Sequence, residues 1–111
     1  MKMPKINQRR NKFNARKTIV DGIVFHSAAE ANRYKVLKLL ERAKEIFNLT
    51  LQTPFIFKLN GERIFTYHAD FTYNSNVGYC IEDVKGMRTP IYRLKKKLIE
   101  SQHGIKITEA K

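Results

Sequence analysis

Two β-prone runs near the start of the chain, Thr18-Ile19-Val20 and Ile23-Val24-Phe25, flank Asp21-Gly22. Asp-Gly supplies the two positive φ angles of a type I′ turn, so the segment predicts a β-hairpin. The apolar spacing then becomes helical. Ala29, Val36, Leu40 and Ala43 form one stripe, and Glu30, in line with Leu37 seven residues on, borders it. Ser27-Ala28-Ala29-Glu30 matches a capping box, which opens the helix at Ser27, with its end expected near Glu45. From Leu49 the pattern is that of strands. Leu49 to Lys58 reads as one strand, Leu59-Asn60-Gly61-Glu62 as a tight turn, and Arg63 to Tyr73 as the next strand. Asn74-Ser75-Asn76-Val77-Gly78, rich in turn formers, leads into a third strand from about Tyr79 to Lys85, which completes an antiparallel meander. After Gly86-Met87-Arg88, Thr89 is the expected N-cap and Pro90 the first helical residue. This helix is predicted to run to about Gln102, to bury Ile91, Leu94 and Leu98, and to stop at Gly104 in the αL conformation. Ile105 to Glu109 forms a last strand, and the strand, helix, strand order implies a right-handed crossover with that strand parallel to the third.

The register of the meander turns this outline into chemistry. If Tyr73 pairs with Cys80, Asp70 falls opposite Asp83, with Cβ atoms roughly 5 Å apart. Residues i and i+2 of a strand share a face, so Asp83 and Lys85 point together while Glu82 and Val84 point away. Like charges opposed on neighbouring strands are destabilising and are tolerated best with a cation between them. Oxygen-only ligation suits magnesium or manganese, and metal-assisted phosphodiester hydrolysis is the reaction class suggested. An Asp inside Phe65-Thr66-Tyr67-His68-Ala69-Asp70-Phe71 is disfavoured by β-propensity and costly if buried unpaired, so Asp70 reads as functional. Glu30 either caps its helix, serves the site, or does both. Gln52, in the neighbouring strand, and His68, on the same pleat as Asp70, are auxiliary candidates; His68 reads equally well as a structural histidine. Glu82 reads as a structural charge on the opposite pleat, and Cys80, the single cysteine, as a small core residue.

Charge narrows the class of partner. The chain has 111 residues, with 22 Lys and Arg against 10 Asp and Glu for a net +12, which points to a polyanion, nucleic acid before membrane. Residues 1–17 carry seven basic side chains and no acid, and read as a flexible basic arm that neutralises phosphates, through Arg9, Arg10, Arg16 and Lys17 among others; a solubilising tail is the alternative. A second basic block holds Lys85, Arg88, Arg93, Lys95, Lys96 and Lys97, at a helix N-terminus that itself favours anions. No apolar run approaches the length of a membrane span and the first residues hold no apolar signal core, so a cytoplasmic protein is expected, with residues 18–111 as its single domain.

Taken in order, a Glu on the first helix, Asp70 on the second strand of the meander and Asp83-Val84-Lys85 on the third resemble the PD-(D/E)XK nucleases. Tyr67-His68-Ala69-Asp70-Phe71 with Glu82-Asp83-Val84-Lys85-Gly86 is most similar to small phage-encoded members, akin in layout to endonuclease I-type Holliday junction resolvases. The resemblance spans about residues 13–109 and includes Asn14-Ala15-Arg16-Lys17. It implies an α/β fold with a restriction-endonuclease-like core of helix, three-strand antiparallel meander, helix and strand, preceded by the basic arm and the hairpin. It further implies that Asp70 and Asp83 hold Mg2+ or Mn2+, that Glu30 is a third or water-bridged ligand, and that Lys85 orients the attacking water and stabilises charge growing on the phosphate. Ala69-Asp70 stands where the family's name has Pro-Asp. The activity implied is an endodeoxyribonuclease acting on branched or junction DNA in phage recombination or replication, as a homodimer in the bacterial host cell. A non-catalytic nucleic-acid-binding protein that keeps this fold is the alternative.

Overall fold

A computed structural model describes residues 17–110. The expected arm, with Arg9, Arg10 and Arg16, lies outside the described residues apart from Lys17, which is exposed. The chain is mixed α/β. Strands β1 (Thr18–Val20) and β2 (Ile23–Phe25) form a separate hairpin, and helix α1 (Ala28–Arg42) follows. A mixed four-stranded sheet in the order β3-β4-β5-β6 comprises β3 (Ile46–Leu59), β4 (Glu62–Ser75), β5 (Gly78–Val84) and β6 (Thr108–Ala110), with helix α2 (Pro90–His103) crossing from β5 to β6. β6 runs parallel to β5 and the other pairs are antiparallel.

Local chemistry sets most of these boundaries. Asp21 and Gly22 take φ 53° and 76°, as the two-residue turn requires, and Asp21 then accepts a 3.0 Å hydrogen bond from the Tyr34 hydroxyl that ties the hairpin to α1. Ser27 accepts from the Glu30 amide at 3.1 Å, Thr89 from the Tyr92 amide at 3.1 Å, and Gly104 ends α2 at φ 65°. α1 stops at Arg42 rather than near Glu45 because Lys44 adopts φ 65° and its amide turns back to the Glu41 carbonyl.

The helices cover opposite faces of the sheet. On β5, Cys80 and Val84 pack toward α1 with Tyr34 and Leu37, while Ile81 packs toward α2 with Ile99 and Ile107. The buried stripes differ from those expected. α1 buries Glu30, Ala31, Tyr34 and Leu37, leaving Ala29, Val36 and Ala43 exposed and Leu40 half-buried. α2 buries Ile99, while Ile91 and Leu94 are 57% and 53% exposed and Leu98 is half-buried. Each helix is rotated toward a neighbouring row of side chains, which on α2 brings Tyr92, Lys95 and Lys96 against the sheet.

β3 is an edge strand carrying Pro54, a residue that the ladder accepts only at an edge. Part of its free edge is covered by the end of α2. Gln102 accepts from the Lys58 amide at 2.8 Å and donates to the Lys58 carbonyl at 2.7 Å, and the His103 ring meets the Ile56 carbonyl at 2.8 Å.

The rotated stripe of α2 has a direct test. Ile99→Ala should destabilise the protein by about 2–5 kcal/mol, whereas Ile91→Ala should stay within about 0.5 kcal/mol, both read by denaturant unfolding. Equal losses would restore the stripe expected from the sequence.

Candidate active site

Tyr73 pairs with Cys80 as expected, and the ladder continues to Phe71 opposite Glu82, so Asp70 comes next to Asp83. Here side chains replace main-chain acceptors. The Asp70 amide donates to Asp83 Oδ1 at 3.0 Å, and the Val84 amide donates to Asp70 Oδ2 at 2.9 Å. Each aspartate therefore satisfies a backbone donor of the opposite strand.

The pleat also breaks at Asp70. Tyr67 and Ala69 pack in the core under α2, yet Phe71 and Tyr73 pack in the core under α1. Regular alternation would keep four odd-numbered residues on one face. Opposite Asp70, between Leu51 and Thr53, Gln52 takes φ 54°, and Leu49 and Leu51 likewise belong to one core and Phe55 and Phe57 to the other. Gln52 Nε2 donates to Asp70 Oδ1 at 3.2 Å, so Asp70 accepts on both oxygens and stays half-buried.

Glu30 reaches the same place from α1. Its Oε1 accepts from the His26 amide at 3.3 Å, a capping role, while its carboxyl lies against that of Asp70. Burial, and next the Asp70 charge, push its pKa up to about 7; the His26 amide and the Lys85 ammonium pull the other way. The capping use of Glu30 is therefore seen directly, and the same carboxyl is placed beside Asp70. Asp83, only 1% exposed, has Oδ1 on the Asp70 amide and Oδ2 on the Tyr67 hydroxyl. Burial raises its pKa, opposed by the Asp70 amide, Lys85, Lys96 and the Tyr92 hydroxyl. Lys85, which the sequence placed in the strand, follows the end of β5 at Val84 and holds its Nζ 5.0 Å above the Tyr92 ring. His68 is exposed across from Pro54 and makes no side-chain hydrogen bond among the described residues.

The opposite face of β5 is neutralised internally. Glu82 accepts both Arg33 Nε (2.8 Å) and Nη2 (2.7 Å) and also the Tyr73 hydroxyl. Burial pushes Glu82 up, but these two donors more than offset it and its carboxyl lies below the ordinary range. Glu109 gathers part of the second basic block: Arg88 Nε at 2.5 Å, the Tyr92 hydroxyl at 2.9 Å and Lys96 at 3.6 Å. Lys95 lies 5.4 Å over the Phe65 ring, so only Arg93 and Lys97 of that block on α2 are fully exposed. Sequence reasoning passed over Tyr67 and Tyr92. The available signal was tyrosine in place of phenylalanine at positions facing the core, since a buried hydroxyl needs a partner.

Two hollows flank these groups. One, of about 160 Å³, is lined by Phe25, His26, Glu30 and Gln52 among others, and the second, of about 370 Å³, by Ala29, Val84, Lys85, Gly86 and Arg88. The chemistry of the donor set suits a hard cation. Magnesium is usually held by one or two carboxylates plus substrate phosphates and water, and the Glu30–Asp70 pair supplies two carboxyls at one point. Among the described residues no three His, Cys, Asp or Glu side chains are already gathered into a metal cluster. Asp83 Oδ1 accepts from the Asp70 amide and Oδ2 from the Tyr67 hydroxyl, with the Tyr92 hydroxyl also at hand.

The site thus belongs to an α/β chain with paired carboxyls at a break in its central strands. That chain is a member of the family described as Protein of unknown function (DUF1064), whose match covers residues 10–109. No curated protein and no solved structure matches it. No helix among the described residues is long and apolar enough to cross a membrane.

The Glu30 pKa carries a pH signature. Between its ordinary value of 4.5 and about 7 the native protein holds a proton that the unfolded chain releases. Its contribution to stability is therefore full below the ordinary value and is lost as pH rises toward 7. Melting temperatures measured in chelator should fall across that window in wild type, and Glu30→Gln should flatten the fall; parallel curves would place the proton elsewhere.

Proposed function

We propose that this protein is a Mg2+- or Mn2+-dependent DNA endonuclease of the PD-(D/E)XK type, in which Glu30, Asp70 and Asp83 hold the metal and Lys85 acts at the scissile phosphate. The observation that carries this reading is the burial of the Glu30 carboxyl against Asp70, beside an Asp83 that is itself buried, in a chain of net charge +12. Acidic groups pressed together without a cation are destabilising, and a cation bound between them would remove that cost. The order of α1, the β3-β4-β5 meander, α2 and β6 supports the same core.

A phosphodiester resists attack because it is anionic, so a hydrolytic site must neutralise it, activate water and stabilise the leaving oxygen. A bound divalent ion supplies Lewis-acid polarisation and a more acidic attacking water. Glu30 would contribute a carboxylate to the ion, Asp70 an acceptor fixed by Gln52 and the Val84 amide, and Lys85 a point charge where negative charge grows. Exposed Arg93 and Lys97, with Arg9, Arg10, Arg16 and Lys17 of the arm, track phosphates flanking the cut; Arg88, Lys95 and Lys96 reach the DNA only by leaving Glu109 or Phe65. Branched DNA, such as a Holliday junction met in phage recombination or replication, is the substrate class assigned. Nicking two strands calls for a homodimer.

A non-catalytic DNA binder is the second reading, favoured by one observation, the absence of a ready three-ligand cluster among the described residues. Incubation with supercoiled, linear, single-stranded and four-way-junction DNA, with and without magnesium or manganese, separates the two. Metal-dependent cutting of the junction is expected; binding without cutting under every metal would establish the binder.

Two variants extend the test. Magnesium or manganese should raise the melting temperature of wild type but not of Asp70→Asn, since the ion relieves repulsion in the native state only; an equal rise in both would move the metal away from Asp70. Lys85→Ala should slow single-turnover cleavage by about 10²-fold or more with little change in affinity, the scale of losing one transition-state donor. A wild-type rate at saturating DNA would remove Lys85 from the chemistry.

A further inference from the structure

Asp83 lies on β5 and Lys85 just past its end, and backbone placement leaves their side-chain torsions free. Holding a lysine in a single conformation forfeits up to about 2 kcal/mol of rotamer entropy, so a defined position needs a seat. Two tyrosines from different elements provide it. Tyr67, on β4, donates its hydroxyl to Asp83 Oδ2 while the Asp70 amide holds Oδ1, so two donors from one strand fix the plane of the carboxylate. Its ring stacks on Tyr92 of α2 with centroids 6.4 Å apart and planes at 27°. The Tyr92 ring in turn lies under the Lys85 ammonium, and the Tyr92 hydroxyl is anchored on Glu109.

We propose that Tyr67 and Tyr92 form an aromatic bracket whose function is to set the two active members of Asp83-Val84-Lys85, Tyr67 through its hydroxyl and Tyr92 through its ring face. Both are positioning residues, and the proposal rests on the nuclease reading given above. The chemistry of the seat is what makes it more than packing. Among the described residues Lys85 has no ion pair, and a ring face attracts an ammonium without neutralising it or accepting its N–H groups in a strong bond. A carboxylate in the same place would hold Lys85 equally well but would compete with the substrate phosphate. Tyr67 acts on the other member: its O–H takes one lone pair of Asp83 and leaves the rest directed by the strand, as a partner behind a metal ligand does.

The test uses Tyr67→Phe, Tyr92→Phe and Tyr92→Leu in the full chain, with three readouts. Single-turnover cleavage of a four-way junction is measured against magnesium concentration at saturating DNA. The magnesium-induced rise in melting temperature is measured without DNA. The Lys85 ε-methylene protons, assigned by their loss in Lys85→Arg, report the ring current of Tyr92. Tyr67→Phe should raise the magnesium needed for half-maximal rate by about 10–100-fold, the usual effect of losing a partner behind a metal ligand, and should shrink the melting shift at fixed magnesium. Tyr92→Leu should lower the rate at saturating magnesium by about tenfold, part of what a full transition-state donor supplies, with half-saturation unchanged. Tyr92→Phe keeps the ring, so it should keep the upfield ε-methylene shift and slow cleavage clearly less than Tyr92→Leu. Equal slowing in Tyr92→Phe and Tyr92→Leu, or an unchanged metal response in Tyr67→Phe, would overturn the bracket. So would a wild-type Lys85 with no ring-current shift, a result that does not depend on any variant folding. Should wild type cut no DNA, the nuclease reading fails on that arm alone, and the ring-current and melting arms still decide the bracket.

Discussion

A strand that changes face must find new partners for the peptide groups at the point of change, because buried donors left unpaired are expensive. β4 meets this demand at Asp70 with side chains. The Asp70 amide goes to Asp83 and the Val84 amide goes to Asp70, so each strand lends a carboxylate where the other would have lent a carbonyl. That exchange is the constraint on which the rest depends. It lets one long hairpin serve two cores, with Phe71 and Tyr73 under α1 and Tyr67 and Ala69 under α2. It also stations two acids where backbone chemistry holds them firmly, so the bonds that let the sheet change face are the ones that bring Asp70 and Asp83 together.

Charge is handled differently on the two faces of β5. Toward α1, Glu82 is closed off by a bidentate Arg33 and by Tyr73. Toward α2, Glu109 collects Arg88, Lys96 and Tyr92, while Lys85 rests on an aromatic ring. Several cations of this strongly basic chain are thus committed internally, so its free positive charge is smaller than the composition suggests.

The hairpin, both helix caps, the αL stop at Gly104 and the pairing of Tyr73 with Cys80 were legible in the sequence because each depends on a few adjacent residues with strong preferences. The helix faces were not. α1 offers apolar side chains on more than one side, and it buries Glu30 with Ala31, Tyr34 and Leu37, the Glu30 carboxyl being met there by the His26 amide. On α2 the same ambiguity sets Ile91 and Leu94 against Tyr92 and Ile99, and the hydroxyl and stem contacts that favour the second row lie on other elements. The face change in β4 left no mark, because Gln52 and Asn48 reach positive φ without the glycine that usually announces it. Among the site residues, Asp70, Asp83 and Lys85 could be grouped by strand arithmetic and Gln52 by proximity of strands, but the roles of Tyr67 and Tyr92 depend on a helix crossing that no local pattern encodes.

The amide of Gln102 bears on how copies of this chain can meet. By facing the Lys58 N–H and C=O together, it occupies the edge of β3 as a peptide group of a fifth strand would, and His103 takes the carbonyl at Ile56. An open edge of that length is a template for strand addition by another molecule. The last turn of α2 therefore acts as a stopper, steering any self-association toward side-chain surfaces and away from continuation of the sheet at that end.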